Sequence, residues 1–329
     1  MLHDKKMAMF YILDILKEYS DENHLITQQD IIDKLHNIYG IDIWRKTIST
    51  TIRLLDEYNF EIKHTPKQGY YLVERKFDEN EIKYLVDAIY SSKTIPGNIA
   101  KELSKKLYSE LSRYKQKEYH YLYKSIEINR NKNLEFFLNI EIINEAIQEG
   151  KKITFEYMSY DENGKLIKRR NGFKYKVSPY FLINNFNKYY LLCNIDRFDN
   201  HANFRVEYMC NVKKIDDKIK PYKNVTTMGP NFNISKHIND HVYMFGGKLI
   251  NASIELLNKN AITYVLDWFG NNARVYKNDD KLLASIKTDE DAFYYWALQY
   301  QDNIKILSPE NIILKVRESL ERNLKKYDL

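Results

Sequence analysis

Strand pattern, turn chemistry and charge coincide between residues 151 and 215, and few folds satisfy all three. Ile153, Phe155 and Tyr157 alternate with Thr154, Glu156 and Met158, the period of a strand with one buried face. Asn163-Gly164 supplies the two positive-φ positions that a tight hairpin prefers. Further strands are predicted over 174–183, 188–195 and 203–212, a spacing that suits a small, strongly bent antiparallel barrel.

Between Lys151 and Tyr190 nine lysines and arginines face three acids, an excess equal to the formal net charge of +6 on the whole chain. Such density on a small β-domain predicts an anionic partner, because clustered charge raises local anion concentration and encounter rate. A solvated, solubilising surface is the alternative.

The stretch resembles the core of the WYL domain, a small Sm-like β-barrel found in bacterial transcriptional regulators. Tyr189-Tyr190-Leu191 stands at the Trp-Tyr-Leu signature, and YDENGK, RRNG, VSPY and NFR stand where that family has its hairpin, basic turn, Pro-Tyr pair and Arg-bearing strand. The family continues as Arg-x-Asp-Arg, whereas this chain reads Arg205-Val206-Glu207-Tyr208, keeping the first arginine and lacking the second. A pocket built from both is therefore altered. The resemblance implies a nucleotide or single-stranded oligonucleotide as anionic effector, and the residues placed at its site are Tyr157, Lys168, Arg169, Arg170, Tyr180, Tyr189 and Arg205. An arginine fork suits phosphate and aromatic faces suit bases. Alternatively, Arg205 closes an internal ion pair with Glu207 or Glu156.

A chain of 329 residues without long Gly-, Ser- or Pro-rich segments has room for two or three domains with real cores. It shows no N-terminal apolar segment with a cleavage site and no run near the roughly 20 apolar residues that span a bilayer. A cytoplasmic protein without a membrane partner is expected. Cys193 and Cys210 belong to no metal-binding spacing and lie in predicted strands, which suits buried reduced thiols; neither metal nor cofactor is expected.

Residues 1–76 read as three helices and a hairpin, the order of a winged helix-turn-helix. The first helix, over 7–19, places Phe10, Ile12, Leu13 and Leu16 on one face. Thr27 and Asp30 form a capping box for the second, with Ile31, Ile32, Leu35 and Ile38 as its stripe and Gly40 as its stop. Asp42 is read as the cap of a third helix over 43–58, with Ile48, Ile52 and Leu55 inward and Arg45, Lys46, Ser49, Thr50 and Arg53 outward. Strands over 60–63 and 70–73 make the hairpin. Ten basic residues against twelve acidic ones over 1–75 do not announce nucleic acid, so distribution decides: 44–55 holds Arg45, Lys46 and Arg53 without an acid. RKTIST is similar to the start of the recognition helix in WYL regulators and GYYL to their wing, although many carry Arg-Asp where this chain has Thr50-Thr51. The expected contacts to double-stranded operator DNA are Trp44, Arg45, Lys46, Thr47, Ser49, Thr50, Arg53, Lys63, His64 and Lys67. A trihelical protein-interaction module is the competing reading.

Residues 77–150 are charged and helical, with Ile82, Leu85, Val86 and Ile89 in one segment and Leu103, Leu107 and Leu111 in the next, and read as a helical spacer. Pro96-Gly97 separates two of its helices, and a last helix over 141–149, closed by Gly150, leads into the barrel over 151–222. Tyr114 to Tyr123 mixes Lys and Tyr in a way that suits either nucleic acid or a solvated helical face. A polar connection follows Pro221, and 240–329 reads βαββαβ, a ferredoxin-like sandwich, with an added helix over 309–327. DWFG, FYYWAL and ILSPENI resemble the WCX extension that follows the barrel in WYL regulators.

The fold class expected is therefore α+β and multidomain. No GxSxG, P-loop or GxGxxG is present, and His237 and His241 have the spacing of a zinc pair without the glutamate of HExxH, so they read as a surface or core pair in a protein that is not an enzyme. A ligand-responsive DNA-binding regulator is expected, paired as a homodimer to match a two-fold operator. The rival is an RNA- or single-strand-binding protein that stacks bases on Tyr157, Tyr180, Tyr189 and Tyr190 of the basic barrel.

Overall fold

The computed structural model describes residues 7–73, 75–119, 133 and 135–327, and the part of the Lys/Tyr mixture after Tyr119 lies outside them. The chain divides into two compact units, Met1–Lys132 and Asn133–Leu329.

The first unit opens with α1 (Ala8–Tyr19), α2 (Gln28–Tyr39), α3 (Arg45–Glu57) and a hairpin of β1 (Ile62–Thr65) and β2 (Gly69–Leu72). Ile12, Ile15 and Leu16 of α1, Ile31 and Leu35 of α2, and Ile48, Ile52 and Leu55 of α3 share one core. The expected capping box is formed: Thr27 Oγ1 accepts from the Asp30 N–H while Asp30 Oδ2 accepts from the Thr27 N–H. Three expectations are corrected. Phe10 and Ile38 are exposed rather than part of the apolar stripes, and Asp42 does not cap α3, because its carboxylate bonds to His36 Nδ1 at 2.8 Å and the helix starts two residues later, after Trp44. The hairpin is pinned to the connection between α1 and α2 by reciprocal bonds of Ile26 and Tyr70 at 2.8 and 2.9 Å. At φ +126°, Gly69 lets its backbone approach Ile26, where a Cβ would stand 2.4 Å from the Ile26 carbonyl oxygen.

Three helices follow, α4 (Glu79–Ser91), α5 (Gly97–Tyr108) and α6 (Arg113–Tyr119). Ile82 and Val86 pack on Leu111, whereas Leu85 stays exposed. Arg75 fastens this layer to α1 by donating to the carbonyls of Lys17, Ser20 and Glu110 at 2.7 to 3.1 Å.

In the second unit α7 (Phe136–Glu149) is followed by β3 (Lys151–Tyr160), β4 (Leu166–Lys168), β5 (Lys174–Asn185), β6 (Lys188–Ile195), β7 (His201–Arg205) and β8 (Met209–Lys218). The strands are antiparallel in the path β8-β3-β5-β6-β7, with β4 also on β3. Register shifts in β3 and at Pro179–Phe181 bend the sheet. The single strand expected over 203–212 is two, because Val206–Tyr208 forms a 3-10 turn that buries Val206 and joins the two ends of the sheet path. One core holds Phe136, Ile143 and Ala146 of α7 with Ile153, Phe155, Val177, Leu191 and Cys193.

The connection after Pro221 is not merely polar. Val225, Met228 and Met244 are buried against Tyr180, Ile183 and Leu192 on the sheet's other side, with α8 (Ile234–Asp240) between them in sequence. β9 (Leu249–Leu256), α9 (Asn260–Phe269), β10 (Ala273–Asn278), β11 (Lys281–Asp289), α10 (Glu290–Gln299), β12 (Ile304–Ser308) and α11 (Glu310–Leu324) follow, and the four strands form an antiparallel sheet in the order β10-β11-β9-β12. Trp296, Phe293 and Phe269 fill its core. His237 and His241 are buried and joined by His201 of β7, with ring centroids 4.4 to 6.0 Å apart. Burial pushes His201 down to about 4 and His237 to about 3. Among the described residues no group of three or more His, Cys, Asp or Glu is arranged to hold a metal ion, and no described helix is long and apolar enough to cross a membrane.

Candidate functional site

The first unit presents one polar face. Trp44, Arg45, Lys46, Thr47, Ser49, Thr50 and Arg53 of α3 and Lys63, His64 and Lys67 of the hairpin are all exposed, and Trp44, immediately before α3, is 84% exposed. Several of the polar groups are already held: Arg45 Nη2 donates to Gln29 Oε1 at 2.9 Å, Thr50 Oγ1 to the Lys46 carbonyl at 3.0 Å, and Arg53 Nε lies 3.7 Å from Glu57. His64 stacks on Tyr70 with centroids 4.5 Å apart. Lys46 forms no ion pair among the described residues.

The barrel gathers a different set from the one expected. Tyr157 lies half inside the core, where burial raises its pKa to about 12, and its hydroxyl accepts from the Arg205 N–H at 3.1 Å. The Arg205 guanidinium stands 4.6 Å over the Tyr208 ring and donates through both Nε (2.9 Å) and Nη2 to Glu207 Oε1. Burial alone would lower the Arg205 pKa, but the Glu207 carboxylate outweighs it and holds the guanidinium charged. The internal ion pair weighed for Arg205 is thus formed, with Glu207. Tyr190 lies opposite Arg205 in the β6–β7 register.

Tyr180 is not at this opening. It is buried, its hydroxyl donating to the Lys220 carbonyl at 2.7 Å, and Tyr189 packs edge-on against Phe136 of α7. Lys168 is drawn 2.6 Å from Glu156, while Arg169 and Arg170 are exposed on a turn where Arg170, Asn171 and Gly172 all have positive φ. Sequence reasoning gave Glu207 only as an alternative partner of Arg205 and gave Tyr208 no role, although both lie within three residues of that arginine. From behind the turn, Asn133 Nδ2 donates to the carbonyls of Glu207 and Met209 at 3.2 and 2.8 Å, and Asn139 Nδ2 to that of Met209 at 2.9 Å.

Fold and rim together define a small aromatic-rich barrel domain with an arginine–carboxylate pair at one seam. Residues 139–214 match the family model of the WYL domain, a match that opens inside α7 and closes inside β8. Comparison with curated protein sequences finds no match. Among solved structures, similarity extends to proteasome accessory factor B/C (PafBC) of Arthrobacter aurescens, at 17% identity over 98% of this chain and 49% of that one with a TM-score of 0.29. A CRISPR Cas-related protein is similar at 16% identity over 98% and 85% of the two chains, with a TM-score of 0.39. The chain spans about half the length of PafBC. These scores lie below the level of a shared overall arrangement, so the WYL match is what bears on function.

Proposed function

We propose that this chain is a DNA-binding transcriptional regulator, not an enzyme, whose WYL domain senses an anionic ligand, a nucleotide or single-stranded oligonucleotide. Residues 8–72 act as a winged helix-turn-helix, α3 entering the major groove and the β1–β2 hairpin touching the backbone. The observation that carries the reading is that residues 44–55, from the start of α3 to the turn before its acidic end, hold no acid and expose Trp44, Arg45, Lys46 and Arg53. The C-terminal sheet order supports a ferredoxin-like, WCX-type domain, and a cytoplasmic homodimer matches a two-fold operator. The rival, a single-strand-binding protein without a duplex target, is weakened by the burial of Tyr180 and the packing of Tyr189, which remove two of its four stacking rings.

Selection of duplexes from a random pool by the full chain tests the proposal. A palindromic site bound by wild type, and lost on removal of residues 1–75, is expected. Failure to enrich any duplex at low salt overturns it. Light scattering at micromolar protein is expected to give the mass of two chains.

A further inference from the structure

Resting on that reading of the barrel as a nucleic-acid sensor, we infer that its Arg205 site reads a guanine base of a single strand rather than a phosphate. Both side-chain bonds of Arg205 to Glu207 leave from the Nε/Nη2 edge and converge on one carboxylate oxygen, Oε1. The Nη1/Nη2 edge, two parallel donors, is not committed to that carboxylate. Its direction is fixed by the same two bonds and by the Tyr208 ring under the guanidinium. The side chain keeps 30% of its surface exposed while that of Glu207 keeps 4%, so a ligand meets the arginine and not the acid.

Charge argues against phosphate as the target. Glu207 neutralises Arg205 at contact distance in a half-buried place, which cancels most of the long-range attraction an oxyanion would feel, whereas the directional fork survives. A neutral group with two adjacent acceptors loses nothing by this cancellation. Guanine offers that pair in O6 and N7, which an arginine fork engages together; adenine presents a donor beside N7 and thymine a donor between its two carbonyls, so the O2/N3 edge of an unpaired cytosine is the one competitor, distinguished by a dC strand beside the dG strand. A base held in the guanidinium plane shares the aromatic layer of Tyr208, against which the exposed Tyr160 stands edge-on at 6.1 Å. The exposed Arg169 and Arg170 remain for the strand's phosphates.

The test is fluorescence anisotropy of the full chain with short labelled single strands at fixed salt. One dG in an otherwise all-dT strand is expected to tighten binding about tenfold. Replacing that base by 7-deazaguanine, which lacks the N7 acceptor, is expected to return affinity to the all-dT value, and Arg205→Lys to erase the dG preference. Inorganic phosphate at millimolar concentration is expected not to compete for the dG increment. Equal affinity for every base composition overturns the guanine assignment and leaves the sensor reading standing. Binding to no strand of any composition overturns both.

Discussion

Gln28 Nε2, in the first turn of α2, donates to the Ser49 hydroxyl on the outer face of α3 at 2.8 Å, and lies 3.0 Å from the Tyr70 hydroxyl of the hairpin. One amide therefore ties together the three elements that would face a duplex. Ser49 is then a residue that positions α3, whereas Lys46 has no ion pair among the described residues. Lys46→Ala is expected to weaken duplex binding similarly for all sequences and to reduce the salt slope by about one. Ser49→Ala is expected to leave the slope unchanged. Anisotropy titrations across a salt series distinguish the two.

Gly69 is the position where the hairpin meets the rest of its unit. Its φ of +126° and the 2.4 Å approach of a built Cβ to the Ile26 carbonyl oxygen leave no room for a side chain. Gly69→Ala is expected to destabilise the first unit by more than about 2 kcal/mol, read by urea unfolding of the full chain.

Arg205 and Glu207 are unequal partners. Removing the arginine strands a carboxylate whose side chain is 4% exposed, while neutralising the acid leaves a guanidinium that reaches water over 30% of its surface. Arg205→Ala is expected to cost about 3 kcal/mol and Glu207→Gln about 1 kcal/mol. Calorimetric melting of both variants and of the double variant checks the order. A larger loss for Glu207→Gln would refute it.

His201 and His237 are held neutral, at about 4 and about 3 against the ordinary 6.5. Between pH 6.5 and 4 the unfolded chain binds protons that the folded rings refuse, so stability is complete above 6.5 and falls with acidification. Each ring is expected to remove about 1.4 kcal/mol per pH unit in that window. Asp289, bonded to His241 at 3.2 Å, is the carboxylate facing the cluster, and Asp240, next to His241 in sequence, is also buried. Fluorescence of Trp268 and Trp296 during denaturation at pH 7 and pH 5 reports the loss, and His201→Gln is expected to flatten it.

Elements whose signals are local were legible in the sequence. The Thr27–Asp30 capping box and Gly40 bracket α2 as read, and β6 runs over the expected residues. The errors arise where a distant partner decides. His36 takes the Asp42 carboxylate across the turn, which no local pattern announces. Tyr180 and Tyr189 look alike in composition, yet one faces Val225 and Met228 from a segment read as a polar link, and the other faces Phe136. Strand parity alone could have separated Tyr189 from Tyr190; the split after Arg205 could not be foreseen, because Val206 reads as strand until its burial in a 3-10 turn is seen.

The Val206–Tyr208 turn is anchored by Asn133 and Asn139 through carbonyl oxygens of Glu207 and Met209, not through side chains. Its shape is thereby separated from its chemistry. The bonds that hold the turn therefore do not depend on which side chains stand at 207 and 208, so its backbone is built to outlast exchange of those two residues.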